Sequence, residues 1–142
     1  LDRVLKASHD AMEHGRVEFT SSHLLVLAEL RQRAPSARIG LFVADRPEWM
    51  PLELHWRLTL ADAIALGAAA VHTPAPRFDT TWVKSCHDAG LISHAADADT
   101  PDMIRQVLDM GAKRISTREP RLASAIIDGS GQPLGRTASQ SK

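Results

Sequence analysis

One pattern constrains this chain more than any other: a helix, then a glycine, then a short strand, repeated along most of its 142 residues. Leu1, Val4 and Leu5, then Ser8, Ala11 and Met12, recur at helical spacing. Gly15 stops that helix, and Arg16 to Thr20 reads as a strand. A helix ending near Leu66 meets Gly67 before a strand from Ala68 to His72. The helix from Asp79 to Ala89, with Trp82, Val83, Cys86 and Ala89 on one side, meets Gly90 before a strand from Leu91 to Ala95. A last unit begins at Thr100, stops at Gly111 and continues as a strand from Ala112 to Thr117. A helix that must stop sharply places a left-handed residue just past its last turn, and glycine does so without strain. One further unit fits between these: a helix from Ser22 to Arg33, a strand from Arg38 to Val43, and a loop from Ala44 to Pro51 that holds Arg46, Pro47 and Trp49.

Alternating strands and helices imply parallel strands covered by helices. Segments such as AAAVH carry apolar residues on both faces, as expected in a buried parallel sheet. Thr100 is placed to cap its helix, Pro101 suits the first helical position, and Asp102 sits favourably at the positive end of the dipole. From Asp128 the character changes: residues 128–142 are turn formers and polar residues, read as a mobile tail, with an extension docked across one end of the domain as the alternative.

Charge narrows function. Seventeen Lys and Arg balance seventeen Asp and Glu, leaving no basic excess for a nucleic-acid backbone. No apolar run is long enough to span a bilayer. Cys86 is the single cysteine, so neither an internal disulfide nor a cysteine metal cluster is available, and a buried helical position is expected. No Gly-rich phosphate loop is present. Leu1 stands where an initiating Met would be, and an upstream segment is expected.

Taken in order, several stretches resemble the glycerophosphodiester phosphodiesterase family. FTSSHLLVLAELRQRAP, residues 19–35, is similar to a strand ending in Ser-Phe followed by a helix of the form L..L....P. IGLFV is similar to the family's next strand, and DAIALGAAAVHTP to its Ala/Gly-rich helix end and strand ending near proline. His87 to Leu91 resembles the His-x-x-Gly-Leu helix end. MGAKRISTREP, residues 110–120, resembles the closing GVDGIITDRP signature. The resemblance covers residues 1–127. It implies an α/β fold, namely strands 4 to 8 of a (β/α)8 TIM barrel with their helices.

The resemblance also implies a reaction: a glycerophosphodiester and water give sn-glycerol 3-phosphate and an alcohol. In the family a divalent cation, Ca or Mg, and two histidines do this work. They sit on the first three strands and the insertion after the second, in His-Arg-Gly, Glu-x-Asp and His-Asp motifs. No His-Arg-Gly occurs here, and Leu1 to His14 aligns with the helix after the third strand. No catalytic or metal-binding position is therefore carried over, and the chain is expected to be an inactive fragment of a hydrolase. A small phosphodiester would be the whole protein's ligand.

What remains is one side of the mouth, because barrel sites lie at the C-terminal strand ends. The candidate substrate-binding residues are Ser21, Ser22, His72, Thr117 and Arg118. Arg118 suits phosphate geometry and equally suits a solvated loop. Ser21 and Ser22 could donate to phosphate or cap a helix. His72 could line the pocket or be a satisfied structural histidine. His94, Asp97 and Asp99 are metal-ligand types, and strand alternation would put the two aspartates on one face; a polar loop before Thr100 is the competing reading. His9, His14, His55 and His87 fall on helices as surface or packing residues, and the three tryptophans are too scattered for a stacking platform.

The chain departs from the family in three places. SHAADAD stands where the family has Trp-Thr-Val-Asn, so Ala95 or Ala96 replaces the tryptophan; Arg118 replaces the Asp of Thr-Asp; His23 replaces the Phe. These point to a divergent member or an altered substrate preference. Three alternatives stay open: a Ca-dependent phosphoinositide phospholipase C, which has an STD-like ending; a non-catalytic half-barrel that self-associates through its open edges; and an unrelated open α/β domain.

Overall fold

The computed structural model describes residues 1–129. Strands β1 (Glu18–Ser21), β2 (Arg38–Phe42), β3 (Ala70–Pro74), β4 (Ile92–Ala96) and β5 (Arg114–Ile115) form one parallel sheet in sequential order. Helices α1 (Asp2–Ala7) and α2 (His9–Glu13) precede β1; α3 (Leu24–Arg33), α4 (Leu52–Ala65), α5 (Thr80–Asp88) and α6 (Pro101–Asp109) run between successive strands; and α7 (Pro120–Ile127) follows β5. This is the expected alternation, with no strand out of order.

Each helix starts and stops for a local reason. Asp79 caps α5 by accepting from the Trp82 amide at 2.8 Å, and Thr100 caps α6 by accepting from the Met103 amide at 3.2 Å. Gly111, at φ +93°, turns the chain out of α6 so that the Ala112 amide reaches back to the Val107 carbonyl at 3.0 Å. The first helix is not continuous: the chain breaks at Ser8, and α1 and α2 bury no residue. Helix α7, which the pattern reading left unassigned, starts at Pro120 and buries Ala123 against α6. The expected polar tail lies outside the described residues except for Asp128 and Gly129.

The odd-numbered strand positions face the helices. Ile39, Leu41 and Val71 pack with Leu27 and Leu30 of α3 and with Trp82 and Cys86 of α5. Ala95 packs with Phe78, Ile104, Val107 and Ala123. Thr73 is also on this face, buried and satisfied by the Trp82 indole N–H at 2.9 Å. The indole of Trp82, buried in the interior, stacks on half-buried Trp56 with ring centroids 4.5 Å apart, while Trp49 is exposed. Cys86 is fully buried, and burial first, with Asp79 second, pushes its thiol up to about 12.

The sheet is curled. Arg114 pairs in register with His94, His94 with His72, and His72 with Phe42. One step beyond the Leu41–Ser21 pair, Phe42 lies level with Ser22, four positions past Glu18 (22 − 18). Yet Glu18 and Arg114, on the two outermost strands, meet at 3.0 Å. In a flat sheet those strands would lie roughly 19 Å apart, beyond the about 14 Å that two extended side chains and a hydrogen bond span. Curvature brings them together, and the offset of about one residue per strand matches the stagger of an eight-stranded barrel.

Candidate functional site

Even-numbered strand residues face the concave side of this arc and build a polar layer. Glu18 is its hub. Its carboxylate accepts from Arg114 at 3.0 Å, from Arg38 at 3.0 Å and meets His72 Nε2 at 2.9 Å. The contact with His72 crosses β2, where Gly40 leaves room: a Cβ there would lie 2.5 Å from His72 Nε2 and 2.9 Å from Glu18 Oε1. Phe42 stacks on one side of His72 and His94 packs on the other, with centroids 6.1 and 4.2 Å away.

Burial works to raise the Glu18 pKa, but hydrogen bonds from Arg114 and His72, with their charge, outweigh it and hold the carboxyl below its ordinary value. His94 goes the other way. Burial first, then the neighbouring His72 and Arg114, bring it down to about 4, against a weaker opposing pull from Glu18. Both ring nitrogens of His94 and the Nε of Arg114 are buried without a hydrogen-bond partner among the described residues. For His94 the neutral imidazole is therefore the form favoured at neutral pH.

The expected rim residues fall into separate places. Ser21, at the end of β1, accepts from the His23 amide at 3.0 Å, so it closes a local turn before α3. Ser22 is exposed and lines a cavity of about 230 Å³ with Leu24, Phe42, Asp45 and Met50. Thr117 and Arg118 are brought together by Asp99: the Thr117 hydroxyl donates to it at 3.3 Å, and the Arg118 amide and Nε each at 2.7 Å. These bonds and the charge of Arg118 hold Asp99 below the usual carboxylate range.

His72 is not at the rim. β3 continues to Pro74, two residues beyond the expected strand end, which leaves His72 mid-strand, buried and held by Glu18. Asp97 and Asp99 do not share a strand face. β4 ends at Ala96, Asp97 takes a left-handed φ of 59°, and the chain turns before Asp99. Among the described residues no group of three His, Cys, Asp or Glu is arranged to hold a metal ion.

Sequence reasoning missed Glu18 and Arg114, and weighed His94 as a metal-ligand type or part of a polar loop rather than as a member of this layer. The signal was present as a period of two: Glu18, Gly40, His72, His94 and Arg114 all carry even numbers in parallel strands of matching register. Reading the strands as apolar on both faces hid it. His55, expected on the surface or in packing, is buried at 7% exposure. His87 donates to or accepts from Ser93 at 2.9 Å as a packing residue.

No protein-family model and no curated protein matches this sequence. Solved structures do match its fold. A Galdieria sulphuraria protein assigned as a glycerophosphodiester phosphodiesterase superposes with a TM-score of 0.76 at 19% identity, over 89% of this chain and 50% of that one. A glycerophosphodiester phosphodiesterase from Parabacteroides distasonis gives 0.71 at 16% identity, over 92% of this chain and 51% of that one. An Oleispira antarctica phosphodiesterase, solved with the product sn-glycerol 3-phosphate, gives 0.65 at 18% identity, over 78% and 41%. The chain spans about half the length of the structures it matches. Its fold is that of one arc of a glycerophosphodiester phosphodiesterase-like barrel.

Proposed function

We propose that this chain is the C-terminal arc of a metal-dependent phosphoric diester hydrolase that converts a glycerophosphodiester and water to sn-glycerol 3-phosphate and an alcohol. The observation that carries the reading is the superposition of five sequential parallel strands on half of such enzymes. That those neighbours are glycerophosphodiester phosphodiesterases favours this reaction over that of a phosphoinositide phospholipase C.

The residues present do not fit the divalent cation. Asp99, the carboxylate nearest the Thr117–Arg118 rim, is taken by three donors from those two residues. The cation, Ca or Mg, and the acid–base histidines belong on this reading to the rest of the barrel. This arc contributes shape and donors: Ser22 beside its cavity, Thr117 and the free edge of the Arg118 guanidinium at the β5 end. Arg118 is exposed and already oriented by Asp99, so it can meet a phosphate oxygen without first being ordered.

The test is the coding sequence directly upstream and the joined protein it encodes. We expect a His-Arg-Gly and a Glu-x-Asp motif there, and release of sn-glycerol 3-phosphate that stops when the cation is chelated. Absence of both motifs would defeat the enzymatic reading. A second reading, association of arcs, is favoured by one observation: among the described residues β1 pairs only with β2 and β5 only with β4, so each has an unpaired edge.

A further inference from the structure

A cavity of about 370 Å³ lies at the base of the arc, at the opposite end of the sheet from the Thr117–Arg118 rim. Its polar lining comes from strand starts. Arg16 and Glu18 stand at the beginning of β1, Arg38 at that of β2, and Lys113 and Arg114 at that of β5. Barrel active sites lie at the C-terminal strand ends, so this cavity is no part of a substrate mouth.

Charge sets it apart. Four cations line it, Arg16, Arg38, Lys113 and Arg114, and Glu18 is the one carboxylate among its lining residues. Glu18 is already fully engaged. Its Oε2 accepts from Arg38 and from Arg114, each at 3.0 Å, and its Oε1 meets His72 at 2.9 Å and Arg114 at 3.4 Å. Its side chain is 12% exposed, so it is not free to swing out to another cation. The side chains of Arg16 and Lys113 meet no hydrogen-bond or ion-pair partner among the described residues. An element laid over the base would strip water from these groups, and a cation that loses water without gaining a partner is costly.

The element that covers the base must therefore bring carboxylates. Residues 130–142 contain neither Asp nor Glu, so the end of this chain does not supply them. A second copy docked base to base would set the same cations against one another. The rest of the barrel has the right place. The arc covers 50% and 51% of two matched structures, so an equal share of such a chain lies outside it. The cavity touches both outermost strands, β1 and β5, whose outer edges are unpaired among the described residues. Strands that fill the gap between those edges start beside Lys113 and Arg16.

We propose that the base is an ionic seam for the complementary arc of the barrel. That arc pairs Asp or Glu side chains, at the inward-facing starts of the strands between β5 and β1, with Lys113 and Arg16. The inference rests on the barrel reading given above and adds to it the chemistry of the partner and the place of contact. Within this arc Glu18 holds Arg38 and Arg114, which leaves Lys113 and Arg16 for the seam.

The test uses the joined protein encoded by this chain and the coding sequence directly upstream, followed by urea unfolding. We expect at least one Asp or Glu at an inward-facing strand start of the upstream arc. Its change to Asn or Gln should not add to Lys113→Gln or Arg16→Gln. The double variant should fall short of the combined single effects by about threefold or more in the unfolding constant, as coupled neighbours do. Lys113→Arg keeps the charge and should keep the coupling, which separates a lost ion pair from poor packing. Arg57→Gln, on α4, should show no coupling to the same carboxylate. Upstream His-Arg-Gly and Glu-x-Asp motifs without a carboxylate at those strand starts, or with carboxylates that do not couple, would overturn the seam and leave the hydrolase reading standing. An upstream segment with no barrel arc would overturn both. Self-association of the chain alone that Arg16→Gln and Lys113→Gln abolish would make a second copy the occupant and overturn the seam as well.

Discussion

At the scale of single residues, Gly40 and His94 carry the most information. Gly40 is required by close approach, since a methyl group there would collide with both His72 and Glu18. Gly40→Ala should cost about 1–3 kcal/mol, the usual range for overpacking, read as a lower urea midpoint at constant slope. His94 makes stability depend on pH with a definite sign. Its folded pKa, about 4, lies below the ordinary 6.5. Between those values the unfolded chain binds a proton that the folded chain refuses, so stability is full above 6.5 and falls as pH drops toward 4. Glu18, held below its ordinary 4.5, adds to the loss only when pH passes beneath that value. Urea midpoints at pH 7 and pH 5 should therefore fall on acidification, and His94→Leu should make that fall shallower. His55, also lowered, keeps part of the slope. An unchanged slope in His94→Leu would show that the ring does not titrate as argued.

Elements differ in how far local chemistry specifies them. Helix α6 was legible from Thr100, Pro101 and Asp102 at its start, and the structure has each in that role, with Ile104 and Val107 on its buried face. Thr100→Ala should cost about 1 kcal/mol, the common price of losing an N-cap, and thermal or urea unfolding would measure it. The strand at RIGLF was legible from its apolar run. The polar layer was not, because each strand supplies one member and the partners are far apart in sequence: Glu18 meets His72 54 positions away and Arg114 96 away. No local pattern encodes such a pair; only register across curled strands does. The rim was partly legible. Thr117 and Arg118 were found as strand-end residues, but their anchor, Asp99, was read as part of a polar loop or as a metal-ligand type, and neither reading pairs it with Arg118. His72 was misplaced because its strand continues through Thr73 to Pro74.

For the molecule as a whole, the governing fact is an arc rather than a closed cylinder. The Glu18–Arg114 bridge fixes the curl, and the concave face carries His94 nitrogens and an Arg114 Nε that lack partners among the described residues. Strand edges of this kind invite pairing. On the association reading, sizing of the purified chain should give an apparent mass that rises with concentration, and a constant monomer mass would argue against assembly. On the function proposed above, this chain carries the fold of one arc of a phosphodiesterase-like barrel and the rest of the barrel carries the chemical groups. The most direct measurement is incubation of the purified 142-residue chain with a glycerophosphodiester, with Mg or Ca added and with chelator. The account predicts no sn-glycerol 3-phosphate above the protein-free control in any condition. Product that forms in proportion to the chain and disappears with chelator would contradict it.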